Sequence, residues 1–472
     1  MKSEIPVNTS IFREYDIRGI ADKDFDAGFA YNLGRAYASL ALSRVKPTST
    51  RGKLRVSVGR DCRLTGEKYA QALTQGLVDS GIDVTMLGVC PTPLTYFSIF
   101  HLSLDGGIMV TGSHNPSDYN GFKICLGKDT LHGSDIQELR KRVEGLKSLE
   151  ATSKGEVQTY SIIPPYIEHL ATSARVARPL KVVLDAGNGT AGNVAPPLFK
   201  RIGAQVTELY CDLDGTFPNH HPDPTVPENL KDLVHSVRST GADLGLAFDG
   251  DSDRIGVVDE KGRIIFGDEL LIVLAREVLK DNPGTTIISE VKSSHRLYQD
   301  IAKHGGKPLM WKTGHSLIKS KMKETGAALA GEMSGHIFFA DRYFGYDDAI
   351  YAALRVYEIA SKYQGPFSDL LKDVPPMVAT PEIRIDCSEE LKFQLVTKTK
   401  ERLAAKFKIN DIDGVRVDFG DSWGLVRASN TQPVLVLRFE APNESRMVEI
   451  RKIVEGALQE SARELGHAPI LE

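Results

Sequence analysis

One rhythm recurs three times along the first two-thirds of this 472-residue chain: apolar strand, helical stretch, strand, helical stretch, strand, then a polar loop. In the first copy LRVSVG (54–59) is a β-rich run. TGEKYAQALTQGLVDSG follows it, with a Thr cap and apolar Tyr69, Leu73 and Leu77 at helical spacing. Ile82 to Leu87 forms a second strand and GGIMV (106–110) a third, which empties into TGSHNP. In the second copy LKVVLD (180–185) is a strand, residues 193–203 are helical, and ADLGLAF (242–248) empties into DGDSDR. In the third, TTIISEV (285–291), a strand around Trp311 and AALAG (327–331) fill the same places, and GEMSGH follows. The copies share a pattern but little identity. Strands alternating with helices imply βαβ units, mainly parallel buried sheets, and ligands held beyond the carboxyl ends of the strands. Each copy has its most unusual polar loop at that end.

The last hundred residues change character. A strand (382–386), a helix (389–405), two or three strands (415–440) and a closing helix (444–464) predict a smaller α+β domain. Candidate linkers at 147–160, 259–263 and 373–377 divide the chain into domains at 1–155, 156–262, 263–373 and 374–472. A chain of this length exceeds one hydrophobic core. With a formal net charge of −4 it has no global field for nucleic acid or an anionic membrane, so an anionic ligand needs a local cluster of Arg, Lys and His. The five cysteines are scattered and never in a Cys-x-x-Cys pair, which points away from disulfides and zinc and toward a reducing compartment. No apolar run reaches membrane-spanning length, and a cytoplasmic location is expected.

Four loops carry chemistry. In TGSHNP, Ser113 lies between Gly112 and His114 at a strand end, where it could serve as nucleophile or phosphate carrier. Taken alone, that loop is better explained as a plain strand-to-loop turn, and no G-x-S-x-G hydrolase elbow is present. In DGDSDR, three alternating carboxylates, Asp249, Asp251 and Asp253, need a counter-charge, and their hard oxygens suit Mg²⁺ or Ca²⁺. An EF-hand register fails because Arg254 stands where the loop needs glycine and the flanks are strands. Mg²⁺ with open positions for a phosphate fits better. GEMSGH offers Glu332, Ser334 and His336, a set suited to sugar hydroxyls and proton transfer. RASNTQP offers Arg427, Ser429, Asn430 and Thr431 as a metal-free phosphate cradle. There is no Walker A sequence, and LDAGNGTAG (184–192) lacks dinucleotide-binding spacing, so Gly187 and Gly189 are turn residues.

In this order the four loops resemble the α-D-phosphohexomutase superfamily, specifically its phosphomannomutase/phosphoglucomutase group, from FREYDIRG (12–19) to RASNTQP (427–433). The resemblance implies three similar mixed-sheet α/β domains plus a C-terminal α+β domain, heart-shaped around a central cleft, with a hinge near 373–377. It implies a phosphoserine at Ser113 with His114 beside it. Asp249, Asp251, Asp253 and a Ser113 phosphate oxygen would hold Mg²⁺, and Arg254 would sit near the transferring phosphate. Glu332 and Ser334 would grip sugar hydroxyls, and Arg427, Ser429, Asn430 and Thr431 would bind the non-reacting phosphate. His315, in TGHS (313–316), matches a sugar-contacting loop. Tyr15, Arg18, Lys123, Lys292 and His336 match accessory phosphate-binding or proton-transfer positions. The implied reaction moves a phosphoryl group between the 1- and 6-positions of mannose or glucose phosphates, with glucose or mannose 1,6-bisphosphate as intermediate and activator. A monomer is expected. Phosphoglucosamine mutase, whose group typically has alanine for Gly112 and glutamine for Met333, is the alternative enzyme. A non-catalytic sugar-phosphate sensor is the alternative outside enzymes.

Overall fold

A computed structural model describes residues 6–50, 52–146, 153–430 and 432–467. Its three first domains share one four-stranded unit. In the first, Arg55–Arg60 lies parallel to both Asp83–Val89 and Gly106–Val110, and Tyr119–Leu126 returns antiparallel to Gly106–Val110. In the second, Lys181–Asp185, Gln205–Leu209, Leu244–Phe248 and Ile255–Asp259 repeat these pairings. Thr286–Glu290, Lys307–Trp311, Leu329–Gly331 and Ile337–Phe339 repeat them again. The sheets are thus mixed, because the strand that follows each polar loop turns back on the one before it. That returning strand pins both ends of the loop. The third strand of each unit is wholly buried, as its unbroken small and apolar sequence requires.

Two short strands extend the first two sheets near the candidate linkers. Val157–Thr159 adds to the first sheet beside Asp83–Val89, and Ile264–Ile265 adds to the second beside Ile255–Asp259. Both segments are too short to show periodicity. Thr65 also departs from expectation. Its side chain makes no cap bond to the helix Gly66–Asp79 and instead accepts from Asn120 Nδ2 at 2.9 Å.

The fourth domain is an antiparallel sheet built on the meander Val415–Asp418, Trp423–Ala428 and Val434–Ala441, backed by the helices Glu389–Ala404 and Glu444–Glu464. Its main core, around Leu395, Leu437 and Ile450, is its own, and a small cluster of Trp423 and Leu425 with Val291 ties it to the third domain. By contrast, one continuous apolar cluster joins Phe97 of the first domain, Tyr166 and Leu198 of the second, and Leu274 and Tyr357 of the third. The five cysteines are free, and among the described residues no helix is long and apolar enough to cross a membrane.

Candidate active site

The first loop is held from beneath by a residue the sequence reading passed over. Arg63 follows the first strand, and its guanidinium is fully buried. It donates to the carbonyls of Ser113 at 2.8 Å and Tyr119 at 2.9 Å, to those of Asn115 and Pro116, and to Asp61 Oδ2 at 3.1 Å. All five of its donors are used. Asp61 in turn accepts from Thr111 Oγ1 at 2.7 Å and from the Gly112 N–H at 3.2 Å. Burial pushes the Asp61 carboxyl above the usual range even with Arg63 beside it. A Cβ on Gly112 would come within 2.6 Å of Arg63 Nε and Cζ, so this position must be glycine for the guanidinium to fit. The clamp holds Ser113 in a left-handed conformation, φ 51°, a strain of roughly 1 kcal/mol or more that the surroundings must impose.

Ser113 faces the second loop. Its Oγ donates to Asp249 Oδ2 at 3.1 Å and lies 3.2 Å from His114 Nδ1. Gly250 allows this approach, because a Cβ there would stand 2.6 Å from the Ser113 carbonyl oxygen. Asp249, Asp251 and Asp253 are completely buried and each offers a carboxylate oxygen within 4.8 Å of the others. Lys123, itself buried, donates to Asp251 Oδ2 at 2.7 Å and also to Asp253 Oδ2. Burial works against its ammonium, but the three carboxylates outweigh burial and raise its pKa. Burial and the adjacent carboxylates push Asp249 well above the ordinary range. Asp251 Oδ1 and Asp253 Oδ1 have no hydrogen-bond partner among the described residues. Orphaned carboxylate oxygens in so dry a place fit a divalent cation.

Arg254 donates from Nε to His336 Nε2 at 3.0 Å. Because a guanidinium can only donate, His336 carries its proton on Nδ1, which lies 3.1 Å from Asp347 Oδ2 and 3.6 Å from Asp253 Oδ1. Asp347 was not anticipated, and it also approaches His315 at 3.6 Å and Lys319 at 3.0 Å. His114 and His315 are both held well below the ordinary histidine range. Burial dominates in each, reinforced by Arg254, Arg18 and Lys123 around His114 and by Lys319 beside His315. Arg18 donates to Asn115 Oδ1 at 2.8 Å and pairs with Asp16.

The contacts continue across to the fourth domain. The His336 and His315 rings stack at 5.3 Å, and Tyr15 meets His315 edge-on at 5.9 Å. The Tyr15 hydroxyl donates to the Thr313 carbonyl at 2.7 Å and accepts from Asn430 Nδ2 at 3.1 Å. Glu332, its carboxyl raised by burial, accepts from the Gly314 N–H at 2.8 Å. Arg427 pairs with Asp413 at 3.1 Å, and Asp413 also accepts from the Thr313 N–H at 3.0 Å. Lys292 reaches Glu382 Oε1 at 2.6 Å and holds that carboxyl down to about 2. Ser429 sits on a loop that Lys392 ties down through the Ser429 and Gln432 carbonyls at 2.6 and 3.0 Å. Ser334 is half-buried on the same turn as Glu332. Thr431 lies outside the described residues. One chain of contacts therefore runs from Ser113 through the Asp triplet, the two histidines and Tyr15 to Asn430, joining residues of all four domains.

Domain models, sequence relatives and a solved structure match this chain. Models of phosphoglucomutase/phosphomannomutase alpha/beta/alpha domains I, II and III match residues 9–150, 164–262 and 266–378, and that of the C-terminal domain matches 382–457. A Pseudomonas aeruginosa phosphomannomutase/phosphoglucomutase is 49% identical over 95% of this chain and 96% of its own length. A Neisseria gonorrhoeae phosphoglucomutase is 46% identical over 94% of this chain and 96% of its own. A crystal structure of a phosphoglucomutase/phosphomannomutase family protein from Burkholderia thailandensis superimposes with a TM-score of 0.91 at 42% identity, covering 99% of this chain and all of that one. With four domain models matched in order and relatives near half identity over almost the whole length, this chain belongs to the phosphoglucomutase/phosphomannomutase family.

Proposed function

We propose that this protein is a hexose-phosphate mutase that passes a phosphoryl group between Ser113 and the 1- and 6-oxygens of glucose or mannose phosphates. The observation that carries the reading is the meeting of Ser113 Oγ with Asp249, beside the two orphaned oxygens of Asp251 and Asp253. In the first half-reaction the Oγ–P bond of phosphoserine breaks, a bond from phosphorus to a sugar oxygen forms, and the hydroxyl proton passes by way of a base to the leaving Ser113 Oγ; in the second, the other sugar O–P bond breaks, the Oγ–P bond re-forms, and the proton passes to the departing sugar oxygen. A 1,6-bisphosphate turns around in the cleft, and its other phosphate returns to Ser113.

Asp249, Asp251 and Asp253 would hold Mg²⁺, which when bound offsets the negative charge on the transferring phosphoryl oxygens. Lys123 offsets the repulsion among the three carboxylates and is placed to meet a phosphate oxygen. His336, oriented by Asp347, takes the sugar proton on Nε2 once Arg254 leaves it for the phosphate. Glu332 and Ser334 orient the sugar, with His315 beside them. Arg427, Ser429, Asn430 and Thr431, with Lys292 and Tyr15, receive whichever phosphate is not reacting. The separate main core of the fourth domain suits a hinge near 373–377 that admits and turns the sugar.

A coupled assay on glucose 1-phosphate, mannose 1-phosphate and glucosamine 6-phosphate, primed with glucose 1,6-bisphosphate, tests the reading. Turnover of the first two is expected, and preference for the amino sugar would overturn it. EDTA is expected to remove activity and added Mg²⁺ to restore it, with a rise in thermal midpoint on Mg²⁺ addition that reports binding apart from turnover. The contact between Gly112 and Arg63 favours the mannose/glucose assignment, since the alanine typical of the phosphoglucosamine group has no room here. Gly112→Ala is expected to lower kcat by about 10²-fold, the usual result of misplacing a reacting group by about 1 Å. Unchanged kcat in that variant would mean the loop tolerates displacement.

A further inference from the structure

A cavity of about 550 Å³ opens between the first and third domains, lined by none of the Asp triplet, Ser113 or the phosphate-loop residues. Its size falls within the range of small-molecule pockets, roughly 300–1,000 Å³. Its lining includes the rings of Tyr96, Phe100, Phe344 and Tyr346 and the ammonium groups of Lys128 and Lys319, while its two carboxylates are already paired, Asp129 with Lys323 and Asp341 with Arg355. The Lys128 ammonium lies 4.7 Å above the Phe100 ring and has no carboxylate partner among the described residues. The Lys319 ammonium lies 4.4 Å above the Tyr96 ring. Tyr96 is only 3% exposed, and its hydroxyl has no hydrogen-bond partner among the described residues. Burial raises its pKa well above the ordinary value, so it remains a donor.

Each wall also ends in the site. The helix Thr92–His101, which carries Tyr96 and Phe100, begins at Thr92, whose hydroxyl donates to Asp251 Oδ2 at 2.5 Å. The helix His315–Thr325, which carries Lys319, begins at His315. Tyr346 precedes Asp347, the carboxylate shared by His336, His315 and Lys319.

We propose that this cavity is a second binding site, for a small planar aromatic molecule bearing one anionic group, and that its occupancy alters turnover. The rings receive the aromatic body, Lys128 and Lys319 receive the anion, and the Tyr96 hydroxyl gains the acceptor it lacks. An anion on Lys319 competes with Asp347 for that ammonium, and this links the cavity to the orientation of His336. The inference does not depend on the sugar specificity proposed above.

Calorimetric titration of the full chain with 2-naphthoate and with AMP, each in the presence of saturating glucose 1,6-bisphosphate, tests it. At least one is expected to bind, and uncharged 2-naphthalenemethanol is expected to bind about tenfold more weakly or worse, as loss of a charged hydrogen bond implies. Lys128→Gln and Tyr96→Phe, which keep the bulk of each wall, should each weaken binding by about five- to tenfold. In steady state the bound anion should change kcat while leaving KM for glucose 1-phosphate nearly unaltered. Absence of binding by both probes, displacement by the bisphosphate, or affinities untouched by both substitutions would overturn the proposal.

Discussion

Ser113→Ala is expected to lower mutase turnover by at least about 10³-fold, as removal of a covalent carrier does elsewhere. The substitution deletes one oxygen atom and leaves the scaffold intact. The left-handed backbone at Ser113 is fixed by the Arg63 bonds to carbonyls and by the Thr111 hydroxyl, which accepts from the Ser113 N–H at 2.8 Å. None of those contacts uses the serine side chain. What is lost is the Oγ contact to Asp249 and His114, so folding and sugar-phosphate binding should persist while turnover fails. Intact mass before and after incubation with glucose 1,6-bisphosphate gives an independent reading. The native chain should gain one phosphoryl group, about 80 Da by covalent mass, and the variant none. A variant that retained full turnover would remove Ser113 from the mechanism and leave the Asp triplet without a partner to serve.

The chemistry-bearing loops were legible because each packs its distinctive residues into six or seven consecutive positions. Their supports were not, because those are single residues in ordinary surroundings. Asp61 and Arg63 sit in RDCRL, Asp347 in an acidic pair, and Lys392 in EELKF, on the helix face it shares with buried Leu395 and Leu403. A topological signal could have found several of them. In each repeat the first and third strands are parallel neighbours, so the loops leaving their carboxyl ends emerge side by side. After the first strand of the first domain come Asp61 and Arg63, which hold the Ser113 loop. After that of the second comes the turn at 186–190, where the Thr190 N–H donates to the Gly250 carbonyl at 3.1 Å and the Thr190 hydroxyl meets Ser252 Oγ at 2.9 Å. Gly187 and Gly189 are turn residues, as their place after a strand indicates, and their turn is also the seat of the Asp loop. At the end of the corresponding strand of the third domain, Glu290 accepts from the Met333 N–H at 3.3 Å and from the Thr313 hydroxyl at 3.2 Å. Asp413 escaped notice for a different reason: its partner Arg427 is close in sequence, but the Thr313 backbone that gives the pair its place is a hundred residues away.

The support with the largest expected consequence is Arg63. Arg63→Met keeps an unbranched, similarly bulky side chain but strips the loop of every bond the guanidinium makes. It leaves the Ser113, Asn115, Pro116 and Tyr119 carbonyls without that donor and Asp61 buried without its counter-charge. Breaking a buried pair in this way costs about 3–5 kcal/mol. The first three domains share a continuous core, so the loss should appear first as local opening of the loop rather than as a separate global transition. Amide exchange over residues 111–120 is expected to quicken by about 10²- to 5 × 10³-fold, the equivalent of that energy at a factor of ten per 1.4 kcal/mol. Turnover should fall with it, because the left-handed geometry of Ser113 has no other fastening of comparable strength. Asp61→Asn in the Arg63→Met background removes the stranded charge but keeps an acceptor for Thr111 and Gly112. Part of the stability should therefore return while turnover stays low. Recovery of both would mean that burial of charge was the whole effect, and recovery of neither would place the cost in the unmet carbonyls. If exchange across the loop were unchanged in Arg63→Met, the clamp would not be what holds Ser113 against Asp249.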